Sequence, residues 1–500
     1  MPADEQVKRS PERGQSAVRS GALTGLSYVA LSLAAAVAGA FLAHKFGRNR
    51  ETDGFLAAYG VYLVLVLGAQ AFRMVVVPDL TRAESEGRLS EEFRAYVVAF
   101  LTLAVPATIL TIAFSGFWGE LFTGRLPEQS ADVAADALPW LIAAAFAQLL
   151  AALAASALAA RDSYYPAAAG FALGGVAGVL FFVLAADAHG LQSLAWGLAL
   201  NATIALSIPT VALIVKGSRI RRHRGSPLLI GGRIWRLVYG VAVPLAIQGL
   251  YVIALRFAAG TGEGNVTSLS YAYLLAATFT SATAFSLALI SAAPLTRRGV
   301  DPESAAEHVV HSAWVSLAFV GAAAGLVALV GGRVITAVLG DAFSGDVGDQ
   351  VGRLVVYLSP WMVASATFSI TYPLMFVMHR TQMLIPLAVG AVIIDIPISI
   401  VGREVGGLTG VTIALGISTL LLVLGLMASL APRVLLLSAY GLGRLSLLVG
   451  AATALAFGGA SLVLSAVPAA AAGLAVYALI LVALRQLGLA QAWQYARALH

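Results

Sequence analysis

The chain alternates long apolar runs with short polar interruptions, and the runs have the length of a bilayer crossing. About fourteen stretches of roughly 20 residues are predominantly apolar, each enough to cross a hydrocarbon core of about 30 Å as a helix. They lie at 22–43, 55–78, 94–115, 133–159, 165–186 and 191–215, then at 235–257, 266–293, 307–331, 351–377, 382–402 and 405–430, and finally at 443–466 and 468–485. None sustains the polar–apolar alternation of a barrel strand, and each is about twice a barrel strand's length. The pattern predicts an all-α polytopic membrane protein of about 14 transmembrane helices.

The pattern also repeats itself at a spacing of about 220 residues. The first copy runs Leu121-Phe122-Thr123-Gly124, Leu138-Pro139-Trp140, Ala160-Arg161-Asp162 and Pro166. The second runs Val338-Leu339-Gly340, Ser359-Pro360-Trp361, His379-Arg380-Thr381 and Pro386. An Ala-, Gly- and Leu-rich chain can match itself by accident, but a Pro-Trp pair, a loop arginine and a following proline in step argue for duplication. The expectation is two six-helix repeats plus two C-terminal helices. By segment this is a disordered cytoplasmic tail at 1–20, a first bundle at 21–215, a basic cytoplasmic linker at 216–234, a second bundle at 235–431, and two extra helices with a cytoplasmic C-terminus at 432–500. Six spans per half is an even number, so both halves start on the same side of the membrane. Many secondary transporters have this plan, with the substrate site at the seam between repeats.

Composition agrees: of 500 residues 59% are hydrophobic and 11% charged, too apolar for a soluble core. There is no cysteine, which excludes disulfides, thiolate metal sites and cysteine nucleophiles. The net charge of +6 needs no nucleic acid, because anionic lipid headgroups face the basic loops. With a cytoplasmic N-terminus, roughly 22 basic residues fall inside against about 6 outside, so both termini are expected in the cytoplasm of a bacterial inner (plasma) membrane. The first apolar run is long enough to span, and it is not read as a cleaved signal.

Motif chemistry is sparse. No phosphate loop, HExxH zinc motif or GxSxG elbow occurs, and the seven histidines have no ligand spacing. Neither an enzyme nor an ATP-driven pump is expected, and no cofactor or metal; transport would be driven by gradients or by consumption of the product. Charges inside spans are the informative residues, since each needs a partner, a wet cavity or an escape to the headgroups. Arg73 falls in the inner third of the second span, Arg256 near the outer end of the seventh, Arg353 near the outer start of the tenth, and Asp395 in the outer half of the eleventh. Arg73 and Arg256 across the seam could hold an anionic headgroup, since arginine suits phosphate; snorkelling to the interface is the alternative. Asp395 could carry a coupling proton or cation, or pair with a neighbouring Arg, Ser or Thr.

Five short motifs carry a family resemblance. Phe46-Gly47, Thr52-Asp53-Gly54-Phe55-Leu56-Ala57-Ala58-Tyr59 and Val77-Pro78-Asp79-Leu80 resemble the FG, T-D-A-F-x-x-A-F and P-x-[LF] of MurJ/MviN-type lipid II flippases, in the same order. Gly264-Asn265-Val266-Thr267-Ser268-Leu269-Ser270-Tyr271-Ala272 and Ala293-Pro294-Leu295-Thr296 are similar to motifs of that family's eighth helix. Parts of these motifs are shared across the multidrug/oligosaccharidyl-lipid/polysaccharide (MOP) exporter superfamily. The resemblance implies a V-shaped bundle, a cavity lined by helices 1, 2, 7 and 8, a lipid-tail groove near helices 13 and 14, and a functional role for Asp53. This chain departs from the family at two places: Ser27 to Ala43 contains none of the first-helix arginines, and Tyr273-Leu274 stand where an acidic–arginine pair follows Tyr-Ala.

The expected function is a flippase that moves a polyprenyl-pyrophosphate-linked cell-envelope glycan precursor by alternating access, with lipid II first and an O-antigen or capsule repeat unit second. The expected substrate-binding residues are Asp53, Arg73 and Arg256, with Asp395 for ion coupling. Expected partners are the lipid-linked oligosaccharide, membrane lipids, a coupling cation and cell-wall synthesis proteins. A cation-coupled multidrug antiporter is the rival from another class, but the chain offers few buried acids for it. A non-transporting scaffold of wall assembly is a third reading, suggested by the missing arginines.

Overall fold

The computed structural model describes residues 35–161, 163–215, 230–280 and 301–484. The tail at 1–20, most of the linker at 216–234, the start of the first span, Pro294 and the charges Arg297 and Arg298, and the chain from 485 lie outside the described residues.

The described chain is helical throughout. In order it forms α1 (Ala35–Phe46), α2 (Arg50–Ser85), α3 (Leu89–Ala113), α4 (Ser115–Thr123), α5 (Glu128–Ala159), α6 (Tyr165–His189) and α7 (Gln192–Val215). There follow α8 (Ile230–Ala258), α9 (265–280), α10 (Pro302–Leu339), α11 (Asp346–Tyr357), α12 (Ser359–Val377) and α13 (Leu384–Leu430). Last come α14 (Pro432–Thr453), a π-helical turn at Ala454–Gly458, α15 (Gly459–Ser461) and α16 (Ala466–Ala483). Among the described residues, nine helices are long and apolar enough to cross a membrane, or ten if α11 and α12 form one span bent by 42°. Large apolar side chains stay uncovered along these helices, Leu184 at 74% and Leu447 at 76% exposure among them, as lipid-facing positions require.

Helix boundaries follow local chemistry. The 307–331 run sits inside a longer helix because Pro302 suits the first turn and Asp301 caps it, accepting the Ser304 amide at 2.7 Å. That hydrogen bond holds the Asp301 carboxyl below its ordinary value. The helix stops at Gly340 (φ 89°). The run expected from 443 begins instead at Pro432, again in a first turn, and Arg433 pairs with Glu303, so the mostly apolar segment before the run continues the helix. The runs at 382–402 and 405–430 are two arms of α13, turned at Gly407 (φ 55°, ψ −133°). Run 351–377 is divided just before Pro360.

By packing the chain forms two compact units. The first takes residues up to Phe41, Leu65–Ser115 and Asp136–Leu237, and the second takes Leu42–Val64, Gly116–Ala135 and the chain from Val238. In the first, Phe72, Phe100 and Phe146 meet edge to face, and α6 lies close along α7. In the second, Tyr251 and Tyr273 stack at 3.7 Å between ring centroids, and α14 and α16 both pack on α10. The Tyr477 hydroxyl of α16 donates to the Ala318 carbonyl at 2.7 Å.

Candidate functional site

The motif residues at the start of α2 lie against the start of α9. Asn49 precedes α2 and accepts the Thr52 amide at 2.9 Å, which fixes the first turn. The next residue, Asp53, is fully buried. Its carboxylate accepts the Thr267 amide at 2.8 Å and hydroxyl at 2.6 Å, and also the Gly264 amide. Orphan N–H groups at a helix start, with the positive end of the helix dipole, are a natural seat for a carboxylate. This accounts for the spacing of Gly264 and Thr267, and for Gly54: a Cβ there would stand 2.2 Å from the Ser130 carbonyl oxygen. Around this seat Arg48 donates to the Gly264 carbonyl at 2.8 Å and to Asn265 Oδ1 at 2.9 Å, and Arg50 pairs with Glu263 at 2.9 Å. The motifs that carry the resemblance therefore clasp the beginning of the second span to that of the eighth.

A second clasp, within the first unit, involves the other end of α2. Asp79, from Val77-Pro78-Asp79-Leu80, accepts from the Tyr96 hydroxyl and pairs with Arg236 of α8. Arg233 grips Glu92 of α3 through two bonds of 3.0 and 2.6 Å, and Arg161 reaches Glu84 at 3.2 Å. Sequence reasoning missed these pairs because Arg233 and Arg236 were absorbed in the general excess of cytoplasmic charge. Asp79 within its motif was the available signal.

The three expected substrate residues occupy different surroundings. Asp53 and Arg256 belong to the second unit and Arg73 to the first. Arg256 is not among Asp53's hydrogen-bond partners. Arg73 is half-buried on α2. Arg256, half-buried in the last turn of α8, lies over Gly124 and near Arg125 and Arg403. Where the family's acid–arginine pair would stand, Tyr273 is buried, donates to Gln248 Oε1 at 2.5 Å and lies 4.6 Å from the Trp361 ring. That place is filled by aromatic packing.

Asp395 sits midway along the first arm of α13 and is fully buried. Ser399 donates to its Oδ1 at 3.4 Å. Its Oδ2, and the hydroxyl of Ser418 on the second arm, have no hydrogen-bond partner among the described residues. Buried polar atoms are nearly always satisfied, and the hydroxyls of Ser399 and Ser418 are the polar groups beside this carboxylate. Arg353 is exposed on α11.

The fold built by this arrangement is similar to that of solved multi-span transporters of the MOP superfamily. More particularly, it is similar to the lipid II flippase MurJ in an inward closed conformation, with a TM-score of 0.73 at 16% identity over 93% of this chain and 99% of that one. An inward-facing multidrug resistance MATE family transporter of the MOP superfamily matches with a TM-score of 0.61 at 14% identity, over 83% of this chain and 95% of that. A MOP superfamily transporter from Pyrococcus furiosus, described by the reverse polarity of its binding pocket, matches with a TM-score of 0.52 at 14% identity, over 85% and 93%. No family model and no curated protein matches the chain.

Proposed function

We propose that the chain is a flippase of the bacterial inner membrane, with fourteen spans and both termini cytoplasmic, which moves a polyprenyl-pyrophosphate-linked glycan precursor to the outer leaflet. The observation that carries this reading is the likeness to the MurJ fold over 93% of the chain. The two clasps support an alternating-access cycle. Asp53, Arg48 and Arg50 hold the outer start of α9, and Asp79, Glu92, Arg233 and Arg236 hold the inner start of α8. Each set ties the ends of neighbouring helices within one unit, so that the unit can move as a body. In this cycle Asp53 is a positioning residue, Arg73 and Arg256 contact the pyrophosphate, and Asp395 binds the coupling proton or cation. The partners are the lipid-linked substrate, membrane lipids and cell-wall synthesis proteins.

Lipid II is the first candidate substrate. The aromatic filling at Tyr273 and the absence of arginine between Ser27 and Ala43 favour a different glycan, an O-antigen or capsule repeat unit, as the second. The test is rescue of cells depleted of their lipid II flippase, followed by a leaflet-specific assay of labelled lipid II. Rescue with movement supports the first candidate. Movement only of a polyprenyl-linked repeat unit supports the second, and extrusion of cationic drugs with neither would replace both by an antiporter.

A further inference from the structure

Three arginines from separate segments of the second unit gather where α8 ends. Arg256 covers Gly124, the left-handed residue (φ 69°) that ends α4; a Cβ there would stand 1.9 Å from Arg256 Nη1. Arg125 follows that glycine. Arg403 reaches in from α13, 5.7 Å from the Phe257 ring, with its Nη1 3.6 Å from where a Cβ on Gly260 would lie. Arg256 feels the charge of both others. Among the described residues Arg403 has its ion pair with Glu404, an exposed neighbour. Among the described residues neither Arg125 nor Arg256 has an ion pair or a hydrogen bond from its side chain.

Like charges drawn together on a half-buried surface repel unless an anion joins them. Beside them is an open recess of about 280 Å³, bordered by Arg125, Pro127, Gly260 and Glu263. Glu263, the one acid on this rim, is engaged by Arg50. The preceding helix fixes the depth of the recess. Phe117 and Leu121 of α4 are exposed at 59% and 44%, and Trp118 stacks on Phe122. Such an aromatic-rich short helix belongs at the membrane–water boundary, where lipid phosphates lie.

We propose that Arg125, Arg256 and Arg403 form a binding site for a phosphate or pyrophosphate group at headgroup depth. Guanidinium groups hold such anions through paired, charge-assisted hydrogen bonds. The site deepens the flippase reading and rests on it for the identity of the ligand, a lipid pyrophosphate arriving at or leaving the outer mouth. The same chemistry would serve an ordinary anionic phospholipid or a free polyphosphate.

The test uses the full chain. Inorganic pyrophosphate is titrated calorimetrically into protein in phosphatidylcholine nanodiscs, and phosphatidylglycerol binding is followed separately by native mass spectrometry. Arg125→Ala/Arg256→Ala is expected to weaken binding about tenfold or more, the double lysine variant to keep most of it, and Arg353→Ala to leave it unchanged. Arg125→Ala alone, an exposed loop change, serves if the double variant unfolds and is expected to weaken binding several-fold. A loss confined to phosphatidylglycerol identifies a lipid headgroup as the source, and one confined to pyrophosphate a soluble phosphate; both support the site. Unchanged affinity of the alanine variants for both probes overturns it. Binding intact with no lipid movement between leaflets would sink the flippase reading alone.

Discussion

The two segments expected as copies of a repeat each end in a hairpin with the same turn, yet they use its centre in opposite ways. In the first copy α6 turns into α7 at Gly190 (φ 56°, ψ −143°). In the second the arms of α13 turn at Gly407 (φ 55°, ψ −133°). Counting twelve residues back and eleven forward from each glycine pairs Gly178 with Asn201, and Asp395 with Ser418. In the first hairpin the arms close tightly at that level, since a Cβ on Gly178 would stand 2.5 Å from the Gly197 carbonyl oxygen and 3.0 Å from Asn201 Cβ. In the second the close approach moves toward the turn, where a Cβ on Gly402 would stand 2.5 Å from the Gly410 oxygen. The central level there holds a buried carboxylate between two serines. The two hairpins thus share the geometry of their turns, while a costly buried acid occupies one of them only.

The largest effect should come from forcing the first hairpin to imitate the second. Gly178→Asp sets an unpaired carboxylate against a backbone oxygen in hydrocarbon and should destabilise by more than about 4 kcal/mol. Loss of a monodisperse peak in size-exclusion chromatography would register it, and normal yield and melting would break the equivalence. The reverse change, Asp395→Asn, should leave thermal stability within about 1 kcal/mol, because it neutralises a half-satisfied buried acid. Lipid movement driven by an imposed ion gradient should nevertheless fall about a hundredfold, some 2.7 kcal/mol of coupling. Wild-type gradient dependence in this variant would reduce Asp395 to a packing residue.

This contrast also separates what the chain reveals in one dimension from what it conceals. The helical class, a division of the stretch from 382 to 430 and the membrane location were legible because apolar length is a local signal, although the turn itself falls at Gly407, inside the run expected from 405. So was the motif around Asp53. Its job was not: the bonds to Gly264 and Thr267 join residues over 200 positions apart, and a capping carboxylate looks like a ligand-binding one until its donors are in view. Arg125 and Arg403 escaped notice because each lies in a loop or at a span's end, where arginine is ordinary. Only the fold sets them beside Arg256. The start of α14 at Pro432 was hidden for a different reason, since Arg433 and Arg444 interrupt the apolar run there and only the pairing of Arg433 with Glu303 shows that the helix includes them.

The turns themselves test the symmetric half of the comparison. Gly190→Ala and Gly407→Ala each place a Cβ at a φ and ψ open almost solely to glycine, although neither would meet another atom within 4 Å. Both should therefore cost a similar amount, about 1–3 kcal/mol, read as matched falls in melting temperature. A marked difference between them would show that one turn is held by more than its backbone.

The smallest effect concerns the Pro-Trp landmarks, where the copies again diverge. Pro139 lies inside the unbroken helix α5 and leaves the Ala135 carbonyl without its usual amide. Pro360 sits in the first turn of α12, just after the break that follows α11, and a proline there forfeits no helical hydrogen bond. Pro139→Ala should thus stabilise by up to about 1 kcal/mol through a regained bond, whereas Pro360→Ala should change stability by less than about 0.5 kcal/mol. If Pro360→Ala stabilised as much as Pro139→Ala, the bend before α12 would be strain imposed by that proline. If it does not, the bend belongs to the packing around α11 and α12.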